Sequence, residues 1–184
     1  MKVLKVAKSP HLSLVINFLY ALFNCVIGFS SFSWWFVTLG AYYFVLAVAR
    51  FSVLEVKRRS GGDAEMELFS KRITGILFIA LSFCLIGIVI LSAVKERGAE
   101  FHEIIMITIA TYSFTKITMA IIGLSSARKS ASPVTKTLRN ISLADAFVSV
   151  YSMQRSMLVS FPGMRASNIR LFNVLTGTAV WILI

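Results

Sequence analysis

The 184-residue chain is 57% apolar and only 15% charged, with a mean hydropathy of +0.80. Soluble domains are about 45–50% apolar and about 25% charged, so this composition excludes an ordinary soluble domain and indicates an integral membrane protein. The net charge of +11 does not indicate nucleic acid as a partner, because the Lys and Arg residues lie in short segments between apolar runs.

Four apolar runs, at 12–29, 34–49, 73–94 and 104–124, are as long as a membrane span or nearly so. A helix needs about 20 residues to cross the hydrocarbon core of a bilayer. The alternation of polar and apolar residues that is typical of barrel strands is absent, which leaves helices as the spanning elements. The predicted fold class is therefore all-α, a polytopic helical membrane bundle.

The last third of the chain leaves the number of spans open. Segment 142–161 has helical periodicity but contains Asp145, Gln154 and Arg155, so it is either a fifth span or a helix lying flat at the interface. A final apolar stretch, 171–184, is short for a crossing and ends without a polar tail, which suggests that the natural chain continues. We expect about six transmembrane helices, with five plus an interfacial helix as the alternative.

These spans group into helical hairpins at about 12–49, 73–124 and 142–184 of a single membrane domain, 1–184. The first two hairpins share residues at similar spacing, which predicts a parallel repeat of the kind found in some transporter folds. The matching residues include Ala21 and Ala80, Cys25 and Cys84, Gly28 and Gly87, and Tyr42 and Tyr112. Coincidence between two apolar sequences is the alternative, and the third hairpin shows no comparable match.

Basic residues in the connections predict the orientation. If the spans alternate, the connections of the four clear spans carry thirteen Lys and Arg residues on one side and only Lys95 and Arg97 on the other; Arg165 and Arg170 fall on that other side with six spans and on the first side with five. Cytoplasmic loops carry the excess of basic residues, so we expect a cytoplasmic N-terminus in a plasma membrane, with the short loops favouring a bacterial one. The residues expected to contact anionic lipid headgroups are Lys57, Arg58, Arg59, Arg128 and Lys129.

Polar residues on three of the predicted helices are spaced three or four apart, which places each set on one helix face. In hydrocarbon such a face should contact protein or water. It forms either a polar pathway between helices or a set of hydrogen-bonding helix contacts. The candidate residues are Asn17, Asn24, Thr108, Thr111, Tyr112, Thr115, Lys116, Asp145, Ser149, Ser152, Gln154 and Arg155.

Three intramembrane charges give sharper expectations. Lys116 and Asp145 are predicted to pair, because they carry opposite charges on consecutive helices at similar depth; the alternative is a Lys that extends toward the interface and an Asp that caps a helix. Arg155 is expected in the outer half of a fifth span, where an unpaired charge costs several kcal/mol, about 2.5–3.5 kcal/mol at the helix centre. It therefore either faces a cavity, near Glu100 or Glu103, or belongs to a segment that does not span.

Motifs for enzymes are absent: the sequence has no His-Glu-x-x-His, Gly-x-Ser-x-Gly or phosphate-binding loop, and no Cys pair at metal-binding spacing. We expect no catalysis, metal or cofactor. Two functions stay open. One is a small transporter or permease-like carrier; the other is a non-catalytic accessory or regulatory protein that contacts another membrane protein, a second copy of the chain or anionic lipid. A water-accessible cavity lined by the polar residues favours the first, and a dry, packed interior favours the second.

Overall fold

The computed structural model of the protein describes residues 10–59, 64–94, 103–127, 133–160 and 165–184. Nearly all of these residues are helical, and none of them forms a strand. The helices are α1 (Pro10–Ser30), α2 (Trp34–Arg59), α3 (Ala64–Val94), α4 (Glu103–Ala127), α5 (Pro133–Ser160) and α6 (Ala166–Leu183). The predicted all-α membrane bundle is confirmed.

Within the described residues, three helices are long and apolar enough to cross a bilayer. Their spans are His11–Ser30 in α1, Trp34–Val56 in α2 and Arg72–Val94 in α3, while α4 contributes a shorter apolar segment, Ile109–Ile122. Only 22% of the α3 span is buried inside the bundle, so this helix turns most of its apolar surface outward. Lipid is the environment that such a surface requires, which places the protein in a membrane.

A three-residue turn joins α1 to α2. The Ser33 N–H donates to the Gly28 carbonyl at 2.9 Å, and Phe32 has a φ of 47°, the arrangement in which a left-handed residue closes a helix. The two helices then pack closely. A Cβ at Gly40 would lie 2.6 Å from Cys25 Sγ, so the contact between α1 and α2 depends on a residue without a side chain at that position.

Helices α2 and α5 form the centre of the bundle. α2 packs on α1, α3 and α5, and α5 packs also on α3, α4 and α6. Most of the largest fully buried side chains come from these two helices: Leu39, Tyr42, Tyr43, Leu46, Val53, Ile141, Val148 and Tyr151. Helices α2 and α5 therefore form the middle of the bundle, and the other four helices provide most of its lipid-facing surface.

The structure extends the second helix beyond its predicted end. The apolar run was expected to stop at Ala49 and to leave Arg50 in a loop, but α2 continues to Arg59. Val53 and Leu54 lie in that extension and are buried, so apolar packing continues past the charge. Arg50 therefore belongs to the span and is only 4% exposed.

Helix α5 runs antiparallel to α2 through the bundle. Contacts of Asp145, Ser149 and Arg155 fall at successively earlier positions of α2, over roughly 15 Å of α5 at 1.5 Å per residue. A helix that follows a spanning helix over this length cannot lie flat at the interface. This packing favours a fifth span over the interfacial-helix alternative, and the polar residues of the segment face the interior of the bundle.

The packing of the first hairpin is not repeated in the second. α1 packs on α2, whereas within the described residues α3 packs on α2 and α6, and α4 packs on α5. The matched glycines also differ, because a Cβ at Gly28 would lie 2.8 Å from Val37 while one at Gly87 would meet nothing within 4 Å. The sequence similarity of the two hairpins is thus not accompanied by a common packing arrangement.

Candidate functional site

Three charged side chains from three helices meet inside the bundle. Asp145 on α5 accepts hydrogen bonds at its Oδ2 from Arg50 Nη2 of α2 at 3.1 Å and from Lys116 Nζ of α4 at 2.5 Å. Arg50 is 4%, Lys116 6% and Asp145 1% exposed. We call Arg50, Lys116 and Asp145 the ionic cluster. It contains the Lys116–Asp145 pair that the sequence predicted.

A fourth helix reaches the ionic cluster through Asn17. Lys116 Nζ donates to Asn17 Oδ1 of α1 and lies 5.2 Å from the centre of the Tyr112 ring. An ammonium group has three N–H donors, and the bonds to Asn17 and Asp145 use two of them. The third has no hydrogen-bond acceptor among the described residues, and Lys116 also borders the cleft described below.

Hydroxyl groups hold Asp145 and its neighbours in place. Ser149 Oγ donates to the Asp145 carbonyl at 2.7 Å, and the Tyr43 hydroxyl lies 3.0 Å from Ser149 Oγ. Since Ser149 has already used its proton, Tyr43 is the donor in the second bond. Ser113 Oγ of α4 donates to the Ser149 carbonyl at 2.9 Å. These bonds link α2, α4 and α5 one turn along α5 from the carboxylate, through the Ser149 hydroxyl and the backbone carbonyl of Ser149.

The ionic cluster carries an excess positive charge. Two cations share one carboxylate, so its formal charge is +1. Breaking a buried ion pair costs about 3–5 kcal/mol, because it leaves a charge without compensation. In addition, Asp145 Oδ1, Asn17 Nδ2 and Arg50 Nε are buried and have no hydrogen-bond partner among the described residues. The site thus holds polar groups that a ligand with matching chemistry could satisfy.

A cleft of about 400 Å³ opens beside the cluster between α1 and α4. Its walls are mainly apolar, and Lys116 is the only charged side chain among its described lining residues. The lining residues are Ser13, Ile16, Ile107, Thr111, Tyr112, Thr115, Lys116 and Met119. Thr111 and Thr115 are exposed, so the cleft is open on the outer surface of the bundle.

Aromatic rings separate the cleft from the centre of the bundle. Tyr20 of α1 stacks on Tyr112 of α4 with ring centres 4.0 Å apart, and its ring meets the edge of Tyr43 at 4.7 Å. Such pairs contribute about 0.5–1.5 kcal/mol beyond the area they bury. Tyr112 lines the cleft, and Tyr20 and Tyr43 pack behind it toward the centre of the bundle.

Arg155 is a second buried cation, distant along α5 from the ionic cluster. It is 4% exposed, and its Cζ lies 4.7 Å from the centre of the Trp35 ring, a cation–π contact. Its Nη1 has no hydrogen-bond partner among the described residues. Glu100 and Glu103, which the sequence suggested as neighbours, fall outside the described side chains.

The structure gathers some of the twelve predicted site residues and separates others. Asn17, Tyr112, Lys116, Asp145 and Ser149 lie at the ionic cluster, and Thr111 and Thr115 line the cleft. The others are dispersed: Asn24 donates to the Tyr20 carbonyl, Gln154 donates to Thr176 of α6, Ser152 is buried in the interior, and Arg155 contacts Trp35. The side chain of Thr108 lies outside the described set.

Sequence reasoning missed Arg50, Tyr43 and Ser113. Arg50 was counted as a loop residue because the apolar run was ended at the first charge. Signals for a longer helix were present, since Phe51, Val53, Leu54 and Val56 follow it. Tyr43 and Ser113 gave no comparable signal, because a single hydroxyl in an apolar run is ordinary in membrane helices.

The ionic cluster is poorly suited to a metal ion. It offers one carboxylate beside two cations, whereas hard cations require several oxygen ligands. Within the described ranges, no group of three or more His, Cys, Asp or Glu side chains is placed to hold a metal. The charged group that the site presents to the cleft is the Lys116 ammonium.

The fold and this site together define a class, a helical integral membrane protein with a buried ionic cluster beside a laterally open cleft. Comparison with protein-family models, with curated proteins and with solved structures found no match to this chain. Function is therefore inferred from the geometry of the cluster and the cleft.

Proposed function

We propose that the protein is a small membrane carrier for organic anions and that Lys116 is its ligand-binding group. One observation carries this proposal: an ionic cluster with a formal charge of +1 stands at a cleft of about 400 Å³. Ligand pockets are typically about 300–1,000 Å³, mostly apolar and equipped with a few converging polar groups. Intramembrane charges of this kind commonly mark substrate paths.

A monovalent anion fits the charge of the cluster. The third Lys116 N–H, which has no acceptor among the described residues, can donate to a carboxylate or sulfonate oxygen without breaking the bonds to Asn17 and Asp145. Binding then makes the cluster neutral overall. A neutral complex moves through a low-dielectric environment at lower cost than a charged one. The loaded carrier would therefore change conformation more easily than the empty one.

The basic residues of the connections support a plasma-membrane location with a cytoplasmic N-terminus. With Arg50 assigned to the α2 span, the connections of the first four predicted spans carry twelve basic residues on the predicted inner side and two on the outer side, and a spanning α5 adds Arg165 and Arg170 to the outer side. Arg58 and Arg59 at the end of α2 are exposed and are placed to contact anionic headgroups. Arg128 and Lys129 lie outside the described residues, as does the side chain of Lys57.

Transport is tested by reconstituting the full chain in phosphatidylcholine liposomes and recording currents on a solid-supported membrane. The anions are benzoate, benzenesulfonate and decanesulfonate, which are all monovalent, and each is applied as a concentration jump. We expect a protein-dependent current with at least one of them. Lys116→Gln should abolish it, because the variant has lost the cation at the cleft.

Arg59→Gln is the matched control, since it also removes one positive charge, but at an exposed helix end. Its current should equal that of the wild type. Currents no larger than those of protein-free liposomes for every anion, or equal loss in the two variants, would overturn the proposal.

The second candidate is a non-catalytic accessory protein that contacts another membrane protein, a second copy of the chain or anionic lipid. It is favoured by one observation, namely that Asn24 and Ser152 are 1% exposed and do not line the cleft. The polar face of α5 then acts in helix packing. Absence of current with all anions, together with normal folding of the protein, is the outcome that this candidate predicts.

A further inference from the structure

We propose that the ligand of the cleft is a single-chain amphiphilic acid that enters sideways from the bilayer and places its carboxylate on Lys116. This inference deepens the proposed function by naming the substrate class, and it rests on that function for the claim that the bound acid is carried. It is drawn from the walls, the opening, the depth and the size of the cleft.

The opening of the cleft faces lipid. Large apolar side chains on the same two helices are exposed around it, including Val15 at 51%, Ile107 at 66% and Phe114 at 60%. Surfaces of this composition lie against acyl chains in a membrane. An amphiphile already dissolved in the bilayer reaches such an opening by lateral diffusion, which a water-soluble ion cannot do.

Lys116 lies below the membrane surface. It is six residues from the end of the apolar segment Ile109–Ile122, which is about 9 Å of helix. Headgroups of two-chain phospholipids are anchored at the interface, outside this depth. A free carboxylic acid can descend further, because its protonated form is neutral, and it gains an ion pair with Lys116 once it ionises there.

The shape of the cleft also favours one chain. Its lining residues Ile107 and Met119 lie just over three turns apart on α4, roughly 18 Å, and Ile16 of α1 forms the facing apolar wall. The volume of about 400 Å³ is near the lower limit for ligand pockets. An elongated, narrow and apolar space with one cation fits a single acyl chain with one acidic end.

The test uses the full chain in phosphatidylcholine nanodiscs with a palmitate analogue that carries a photoreactive diazirine in its chain. After irradiation, the labelled peptides are mapped by mass spectrometry. We expect labelling to concentrate on α1 near Ile16 and on α4 between Ile107 and Met119. Excess palmitate should suppress the labelling. Hexadecanol and acetate should not, because hexadecanol lacks the carboxylate and acetate lacks the long chain.

Two variants distinguish specific binding of the palmitate analogue in the cleft from its nonspecific contact with any membrane-embedded protein surface. Lys116→Gln should weaken labelling in the cleft by about tenfold or more, as expected for loss of a buried charge-assisted bond. Arg59→Gln should leave it unchanged. If Lys116→Gln does not fold, competition between palmitate and hexadecanol on the wild-type chain still decides the question.

Labelling spread evenly over the lipid-facing helices, or equal competition by hexadecanol, would overturn the inference. Stronger competition by phosphatidylglycerol than by palmitate would also overturn it, in favour of a phospholipid. The outcome is separable from that of the transport test. Currents with benzoate but no specific palmitate labelling refute the substrate class alone, and specific labelling without any current refutes the carrier function.

Discussion

Asp145 has two cationic partners, and for this reason the three charges contribute unequally to the stability of the protein. If Lys116 is removed, Arg50 and Asp145 remain as a neutral pair 3.1 Å apart. If the carboxylate is removed, two buried cations lose their only shared anion. Desolvated charges interact strongly and are costly when uncompensated. Removal of each of the three residues therefore has a different effect on stability, although each side chain is almost fully buried.

This asymmetry gives a stability prediction. Asp145→Asn should lower the free energy of unfolding by about 3–5 kcal/mol, the cost of leaving buried charge unpaired. Lys116→Met should lower it by clearly less, because the Arg50–Asp145 pair stays intact. The measurement is equilibrium unfolding in detergent micelles with increasing denaturant.

Glu55→Gln serves as the control, since it breaks exposed ion pairs with Arg58 and Arg59 and such pairs contribute little. It should unfold like the wild type. An Asp145→Asn variant as stable as Lys116→Met would mean that the carboxylate does not balance both cations.

The residues of the cluster could be predicted only in part. Lys116 and Asp145 are detectable because opposite charges occur in otherwise apolar or hydroxyl-rich helices that follow one another. Arg50 required knowing that α2 continues, and its contact with α5 joins positions far apart in the sequence. A helical period identifies a face but not the helix that the face contacts, so the third member of the cluster was missed.

At the level of the helices, α5 shows why hydropathy left the span count open. Buried polar residues of α5 include Asp145, Ser149, Ser152, Arg155 and Ser156, so its average composition resembles that of an interfacial helix. Each of these residues is nevertheless enclosed by neighbouring helices. A central helix needs less apolar surface than a lipid-facing one. Whether a helix is central depends on how it packs against the other helices, which its own sequence does not reveal.

Close packing of α1 on α2 gives a prediction about helix contacts. Gly40→Ala should destabilise the protein by about 1–3 kcal/mol, the usual cost of overpacking. Its Cβ would lie 2.6 Å from Cys25 Sγ and 3.2 Å from the backbone carbonyl oxygen of Ala21, and a backbone atom cannot move aside. The midpoint of thermal unfolding in detergent measures the effect.

Gly87→Ala is the matched control in the α3 span, because a Cβ there would meet nothing within 4 Å. It should be neutral or slightly stabilising, since Ala is the better helix former by about 1 kcal/mol. Equal destabilisation by both substitutions would contradict the close approach of α1 and α2.

At the level of the whole molecule, the bundle combines a polar centre with a lipid-facing exterior. α2 and α5 bring the charges together, α3 presents apolar surface to the membrane, and α1 and α4 diverge enough to leave the cleft. The membrane class could be predicted from composition and run length alone. The cleft could not, because it arises from two helices that are distant in sequence and touch only through a few side chains, among them Asn17, Tyr20, Tyr112 and Lys116.

The most direct measurement is the accessibility of a nitroxide spin label placed in the cleft. Thr115→Cys and Arg59→Cys are made in a chain with Cys25→Ala and Cys84→Ala, labelled and reconstituted in phosphatidylcholine. Collisions with oxygen, which concentrates in lipid, are compared with collisions with a water-soluble nickel chelate. At position 115 we expect frequent collisions with oxygen and few with nickel, and at position 59 the reverse. A label at position 115 that meets nickel more readily than oxygen would contradict a cleft that opens to the bilayer.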